Sequence, residues 1–372
     1  MNPLKQLQSH GQSPWLDHIQ RSLVTGGALR RLIENDGIRG VTSNPSIFEK
    51  AIGGSDDYRD SMRDLRRKGL TSQQIYERLA IEDVRGAADE LRPVYEAAAR
   101  RDGYVSLEVS PHLARDTAST IEEARRLWRG VARPNLMIKV PGTPEGIPAV
   151  EALIAEGVNV NVTLLFSLAA YRDAARAYLA GIERRAADGA DISGVASVAS
   201  FFVSRIDTNV DAKLDRLAAA APAGGRARLA GLRGKAAIAN AKLAYRLFSD
   251  HSATAVCKRL AQAGAMPQRL LWASTSTKNP AYRDVMYVEE LIGPDTVNTM
   301  PMATIDAFRD HGVPRASLQE DVAAAESLMR ELGAAGIAFE QVTGELLEEG
   351  VRLFAQAFDS VLAAVEQARS AA

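Results

Sequence analysis

Short apolar segments of strand length alternate with longer amphipathic or Ala/Arg/Glu-rich stretches along the chain. Each apolar segment is followed by a stretch with helical spacing, and this alternation predicts a parallel sheet covered by helices. The eight predicted strands are residues 15–19, 37–43, 104–109, 135–141, 158–166, 195–203, 269–274 and 296–299. The clearest predicted helices are residues 71–100, 117–131, 167–187 and 317–332.

Eight strand–helix units favour a closed (β/α)8 TIM barrel with additional helices, an α/β fold. An open doubly wound sheet is the structural alternative, but the sequence lacks the glycine-rich phosphate turn expected after its first strand. We expect one barrel domain over residues 1–372, with an enlarged helical connection around 204–268 and an appended C-terminal helix around 343–370.

Two glycine-containing segments are interpreted as local breaks between helices. Gly26-Gly27 interrupts a helical stretch and is not read as a nucleotide loop. Within the enlarged connection, the Ala-Pro-Ala-Gly-Gly segment at 221–225 is expected to separate helices near 208–221 and 226–249.

Composition narrows the class of protein. A net charge of -1 indicates neither a nucleic-acid nor a membrane partner. The single cysteine, Cys257, excludes an internal disulfide framework and is expected to pack as a small apolar group. Residues 1–13 are polar and lack an apolar signal core, and no run reaches the roughly 18 apolar residues of a membrane helix. We expect a cytoplasmic protein, a monomer or homodimer.

Lys139 is the first candidate for chemistry, because barrel sites lie at the C-terminal ends of strands. It interrupts the apolar segment 135–141. Burying an unpaired ammonium is costly, and desolvation of a lysine favours the neutral amine that can attack a carbonyl. The alternative is a structural ion pair with a neighbouring carboxylate, and the residues alone leave both interpretations open.

Two carboxylates stand on other predicted strands. Glu108 lies one strand away from Lys139 and is either its ion-pair partner or a group that handles protons through a water. Asp17 is a candidate second acid/base, with a helix N-cap as the alternative. Strand alternation would turn His18 to the opposite face, so we interpret His18 as structural.

Polar side chains also mark the second and fifth predicted strands. Asn44 precedes Pro45, which favours an extended conformation there, and its amide can cap the next helix or bind a sugar hydroxyl. Asn159, Asn161 and Thr163 share one face by alternation, which predicts contact with water or a polar ligand.

The sixth and seventh strands end in hydroxyl groups and cations. Ser200 can donate a hydrogen bond, and Arg205 can bind a phosphate or pair with a helix carboxylate. The next strand runs into a turn that contains Ser274, Ser276 and Lys278. Together these residues predict a site for carbon–carbon bond cleavage and formation at a phosphosugar carbonyl. The five histidines are scattered without metal-ligand spacing, so we expect neither a metal nor another cofactor.

Four segments resemble the transaldolase family, in its longer bacterial type. They are GVTSNPS at 40–46, MIKVPGTPEG at 137–146, NVTLLFS at 161–167 and SFFVSRI at 200–206. The resemblance implies a metal-independent class I aldolase-type barrel of the pentose phosphate pathway. Such an enzyme moves a dihydroxyacetone unit from sedoheptulose 7-phosphate to glyceraldehyde 3-phosphate, giving erythrose 4-phosphate and fructose 6-phosphate.

Carried over by position, the resemblance implies a role for each candidate residue. Lys139 would form the Schiff base, Asp17 would be the acid/base, and Glu108 with Thr163 would hold a water. The remaining implied contacts are Asn44, Asn161 and Ser200 to the three-carbon unit, and Arg205 to the phosphate. The seventh strand departs from the family pattern, so Lys278 as a second phosphate ligand, and the choice between Ser274 and Ser276, are less well supported by the resemblance.

Two other functions remain open at this stage. One is a class I fructose 6-phosphate-type aldolase that needs no acceptor, and the other is a non-catalytic barrel that only binds phosphosugars.

Overall fold

The computed structural model describes residues 2–371 and contains a closed barrel of eight parallel strands. Successive strands pair side by side, and β1 pairs with β8 to close the ring. The strands are β1 Gln12–Leu16, β2 Gly40–Val41, β3 Tyr104–Glu108, β4 Leu136–Pro141, β5 Val160–Leu165, β6 Ser197–Phe202, β7 Arg269–Ala273 and β8 Thr296–Met300. The barrel prediction is confirmed, and the open doubly wound sheet is excluded.

Helices surround the barrel between these strands. They are α1 Pro3–Ser9, α2 Arg21–Thr25, α3 Ala28–Arg31, α4 Pro45–Gly53, α5 Arg59–Arg67, α6 Ser72–Ala97, α7 Thr117–Val131, α8 Gly146–Ala155, α9 Leu168–Ala187, α10 Ser204–Ala220, α11 Ala223–Ala230, α12 Ala236–Ser252, α13 Ala255–Gln262, α14 Met286–Glu289, α15 Met302–His311, α16 Val322–Ala334 and α17 Phe339–Ala371. Within residues 2–371, no helix is both long and apolar enough to cross a membrane.

Two predicted boundaries were wrong. The first strand ends at Leu16 and not at residue 19, because it pairs with β8 from Gln12 onward. The segment 221–225 is not a complete break, since Gly224 and Gly225 lie inside α11 and a second interruption follows at 231–235. Pro222 explains this difference, because proline suits the beginning of a helix as well as its end. The predicted break at Gly26-Gly27 is present, and Gly27 has a φ of 69°.

The N-terminal end of the barrel is closed by a group of polar side chains around Asp102, here called the floor cluster. The carboxylate of Asp102 accepts hydrogen bonds from Trp15 Nε1 at 2.9 Å and Arg39 Nε at 3.0 Å. Arg269 Nη2 lies 3.4 Å from Asp102 Oδ1, and Ser13 donates to the same carboxylate. Every member is therefore paired, as a buried ionic group requires.

The long helix α17 crosses the opposite end of the barrel and packs against α4, α6 and α10. Its buried side is apolar and includes Leu346, Phe354, Phe358 and Val361. This arrangement confirms the appended C-terminal helix and places it over the strand ends where a barrel builds its site.

Candidate active site

A cavity of about 620 Å³ opens at the C-terminal end of the barrel, beneath α17. Strand ends from around the ring contribute its walls. The predicted site residues that line it are Asp17, Asn44, Lys139, Thr163, Ser200, Arg205, Ser274 and Lys278. The other two, Glu108 and Asn161, are buried beside lining residues.

Lys139 forms both of the arrangements that its sequence left open, because it is ion-paired and also reaches the cavity. Its Nζ lies 3.1 Å from Glu108 Oε2 and donates to the carbonyl of Ser43 at 3.1 Å. Glu108 and Lys139 stand directly opposite each other in the β3–β4 register, and they are only 8% and 4% exposed. Burial raises the pKa of Glu108, against the effect of Lys139. A proton passed from the ammonium to this carboxylate leaves a neutral amine without separating charge.

Two polar atoms near this pair have no hydrogen-bond partner among the described residues. They are Glu108 Oε1 and Thr163 Oγ1, which lie on the strands either side of β4. Leaving buried polar groups unpaired costs about 1–3 kcal/mol each. Their arrangement is therefore suited to holding a polar ligand such as water between the strands.

Asp17 lies one residue beyond the end of β1 and is held by a hydroxyl group. Thr42 Oγ1 donates to Asp17 Oδ1 at 2.6 Å, and Thr42 also meets Thr299 Oγ1 at 2.7 Å. Burial raises the pKa of Asp17, whereas Lys139 and the Thr42 hydrogen bond act to lower it. A carboxyl group with a raised pKa can both take up and return a proton near neutral pH.

The prediction that His18 faces away from the site was wrong. His18 lines the cavity, and burial lowers its pKa. Strand alternation does not apply to it, because β1 has already ended at Leu16.

Amide and hydroxyl groups form a connected row along β5 and β6. Ser200 Oγ donates to Asn161 Oδ1 at 2.6 Å, and Asn161 Nδ2 donates to Ser106 Oγ at 3.0 Å. Ser200 lines the cavity, so Asn161 orients it from below. Asn44 does both things its sequence allowed, because it accepts from Ile47 N at 3.0 Å as the cap of α4 and also lines the cavity.

Asn159 does not share the polar environment predicted for it. Its Nδ2 donates to the carbonyls of Pro134 and Leu136, each at 2.9 Å, and its Oδ1 accepts from Ala196 N at 2.9 Å. These bonds satisfy backbone groups at the start of the strands, so Asn159 is structural.

Cations gather on the side of the cavity formed by β6 and β7. Arg205 has no ion-pair partner within residues 2–371, and its guanidinium carbon lies 5.6 Å from the centre of the Phe202 ring. Burial lowers the pKa of Arg205. Burial, Arg205 and Lys50 all lower the pKa of Lys278. Three cations without a carboxylate partner form a site for a doubly charged anion such as phosphate.

Both serines of the seventh strand end line the cavity. Ser276 Oγ accepts from Lys278 Nζ at 2.8 Å. Ser274 adopts a φ of 57°, and its hydroxyl meets Ser204 Oγ at 2.9 Å. The structure therefore brings both candidates to the site.

Sequence reasoning missed Lys50 and Phe354, which also line the cavity. Lys50 stands four residues after Ser46 on α4, so helical spacing would have placed it beside a residue already at the strand end. Phe354 lies on α17, and no local pattern connects it with the barrel strands.

Comparisons with known proteins agree with this geometry. A family model described as Transaldolase/Fructose-6-phosphate aldolase matches residues 14–365. The chain is 50% identical to Transaldolase 2 of a Nostoc species over 370 residues, covering 98% of this chain and 97% of the relative. It is 47% identical to the transaldolase of Thiobacillus denitrificans, covering 98% and 100%, and 46% identical to Transaldolase 1 of Streptomyces coelicolor, covering 97% and 93%. The chain belongs to the transaldolase/fructose-6-phosphate aldolase family of enzymes.

Proposed function

We propose that this enzyme transfers a dihydroxyacetone unit from sedoheptulose 7-phosphate to glyceraldehyde 3-phosphate, through a Schiff base on Lys139. The products are erythrose 4-phosphate and fructose 6-phosphate, within the non-oxidative pentose phosphate pathway of the cytoplasm. The observation that carries the proposal is the 3.1 Å contact between Lys139 Nζ and Glu108 at the cavity wall. That pair supplies a nucleophile and a proton acceptor for it in one place.

The first half of the reaction forms the covalent intermediate. Lys139 passes a proton to Glu108, and its neutral Nζ attacks the ketose carbonyl. The resulting carbinolamine loses its hydroxyl as water, with Glu108 returning a proton through a water held together with Thr163. The product is an iminium ion between Lys139 and the sugar.

The second half breaks and remakes a carbon–carbon bond. Asp17 takes the proton of the C4 hydroxyl, the C3–C4 bond breaks, and its electron pair moves to the iminium to give an enamine. The enamine carbon then attacks the acceptor aldehyde, and Asp17 returns its proton to the new alkoxide. Hydrolysis of the new iminium releases the ketose product and restores the Lys139 amine.

The remaining lining residues bind the substrate. Asn44, Asn161 and Ser200 are proposed to position the three-carbon unit. Arg205 and Lys278, joined by Lys50, would bind the phosphate of the donor and of the acceptor, because no carboxylate within the described residues pairs with them. The single domain and a monomeric or homodimeric state stay predictions.

Trapping the intermediate tests the proposal directly. Borohydride added with fructose 6-phosphate should reduce the Schiff base to a stable adduct, which peptide mass spectrometry should locate on Lys139. Lys139→Ala should form no adduct and lose on the order of 10⁴-fold or more in transfer activity. Lys242→Ala is the control, because this lysine is also buried but donates to the carbonyl of Glu320.

The same experiment separates the rival functions. An adduct that persists in Lys139→Ala would refute the role of this lysine. Release of glyceraldehyde 3-phosphate from fructose 6-phosphate at equal rates with and without erythrose 4-phosphate would identify a simple aldolase. Binding of phosphosugar with neither adduct nor turnover would identify a non-catalytic barrel, which the names of the relatives disfavour.

A further inference from the structure

The ring of Phe354 lies beside the amine of Lys139. The distance from Lys139 Nζ to the ring centre is 5.5 Å, and Phe354 is 4% exposed. Phe354 belongs to the lining of the cavity, although it comes from α17 and not from a barrel strand. An apolar group therefore occupies space next to a reacting nitrogen that is otherwise surrounded by polar atoms.

The position of Phe354 is set by an anchored helix. Glu345 pairs with Lys213 at 2.9 Å, and Asp359 meets His112 Nε2 at 2.7 Å, so α17 is tied to the barrel before and after Phe354. Gly350 allows the close approach between them, because a Cβ built there would lie 2.9 Å from Leu164 Cδ2. The ring is thus held over the site by packing on both sides.

The enamine on Lys139 can react in two ways. It can attack the acceptor aldehyde, which completes transfer. Alternatively, a proton can add to the enamine carbon to regenerate an iminium, and water then adds to that iminium. The second route releases free dihydroxyacetone and the Lys139 amine, so no transfer occurs. The balance between the routes depends on how much water and how many mobile protons reach the intermediate.

An aromatic ring offers water no strong hydrogen-bond partner, so the space it fills stays dry. One water can still be held by Glu108 and Thr163 for the dehydration and hydrolysis steps, because their unpaired oxygen atoms lie within the barrel. Ordered water on the polar side and an apolar cover on the α17 side would let the enzyme use one water while excluding the bulk.

We infer that Phe354 is a specificity-determining residue that directs the enamine to the acceptor aldehyde by excluding solvent from the α17 side of Lys139. This inference rests on the proposed Schiff-base transfer and concerns how the intermediate is divided between transfer and hydrolysis.

Phe358 is a matched control on the same helix. It is 5% exposed, so it is buried to the same degree as Phe354. Its ring packs against Tyr76 at 5.3 Å and His112 at 5.8 Å between ring centres, and it does not line the cavity. Replacing either phenylalanine removes a buried ring from α17, but only one of the two lies beside the amine.

The experiment compares Phe354→Leu and Phe358→Leu with the unaltered enzyme. Dihydroxyacetone released from fructose 6-phosphate without acceptor is measured against transfer to erythrose 4-phosphate. Phe354→Leu should raise the ratio of release to transfer by about fivefold or more, which corresponds to a modest change in relative barriers. Phe358→Leu should leave the ratio within about twofold, although both variants should show a similar fall in melting temperature.

Three outcomes are decisive. An unchanged ratio in Phe354→Leu overturns the inference while leaving the proposed transfer intact. An equal rise in both variants also overturns it, because the docking of α17 would then matter and not this ring. Absence of transfer and of a borohydride adduct in the unaltered enzyme refutes the proposed function, and the inference with it.

Discussion

The two ends of the barrel treat buried charge in opposite ways. In the floor cluster, Asp102 is paired with Arg39 and Arg269. At the other end, Arg205 and Lys278 lie together in the cavity wall with no carboxylate partner within residues 2–371. Pairing at the floor satisfies every charge inside the molecule, whereas the cavity leaves its cations available to an anion from outside. The difference separates charges that hold the barrel together from charges that bind substrate.

The largest expected effect comes from breaking the floor cluster. Asp102→Ala should lower the free energy of unfolding by about 3–5 kcal/mol, because it leaves two arginines near the floor without their carboxylate. Urea unfolding followed by circular dichroism measures this loss. The activity of the molecules that remain folded should be unchanged, since Asp102 lies at the end of the barrel away from the cavity.

An exposed ion pair provides the control for that change. Asp89→Ala removes a carboxylate that bonds to Arg133 Nε at 2.5 Å but is 54% exposed. It should cost less than about 1 kcal/mol. Equal losses in the two variants would show that burial does not distinguish the floor cluster from the surface.

The second change removes a cation from the cavity. Arg205→Gln should lower kcat/KM for fructose 6-phosphate roughly 100-fold, because a charge-assisted contact to the phosphate is lost. Its free energy of unfolding should stay the same or rise slightly, since Arg205 has no partner in the folded chain whose loss would cost stability. Steady-state kinetics and urea unfolding together test this opposite response.

Substrate without phosphate is the control for Arg205. Activity with fructose should fall far less in Arg205→Gln than activity with fructose 6-phosphate. Lys50→Gln should act in the same direction by a smaller amount, because Lys50 is exposed at the rim of the cavity. A uniform loss for both sugars would contradict phosphate binding at these cations.

The smallest expected effect concerns the carboxylate of the cavity. Thr42→Val removes the 2.6 Å hydrogen bond that favours the ionised form of Asp17. The pKa of Asp17, already raised by burial, should rise further, so a higher pH is needed to keep the base ionised. The acidic limb of the kcat/KM profile should move upward by about 0.5–1 pH unit.

Thr299→Val is the control for Thr42→Val, because Thr299 meets the Thr42 hydroxyl without bonding to Asp17. It should move the acidic limb less. An equal movement in both variants, or a movement to lower pH in Thr42→Val, would contradict the assignment of that limb to Asp17.

Sequence reasoning succeeded where one local pattern decided the outcome. The alternation of apolar and helical stretches predicted the barrel, and the register between neighbouring strands brought Glu108 opposite Lys139 as expected. It failed for His18 and Asn159, because strand alternation was applied past the end of β1 and at the wrong end of β5. A face can be read from alternation only when the strand boundaries are known.

The sequence by itself determined the barrel, the ion pair at Lys139 and the family. These depend on residues close in sequence or on adjacent strands, where periodicity carries the information. Only the tertiary structure decided which cations lack partners and that Phe354 lies beside Lys139. Both are contacts between distant segments, set by how α17 packs across the strand ends, and no local pattern encodes that packing.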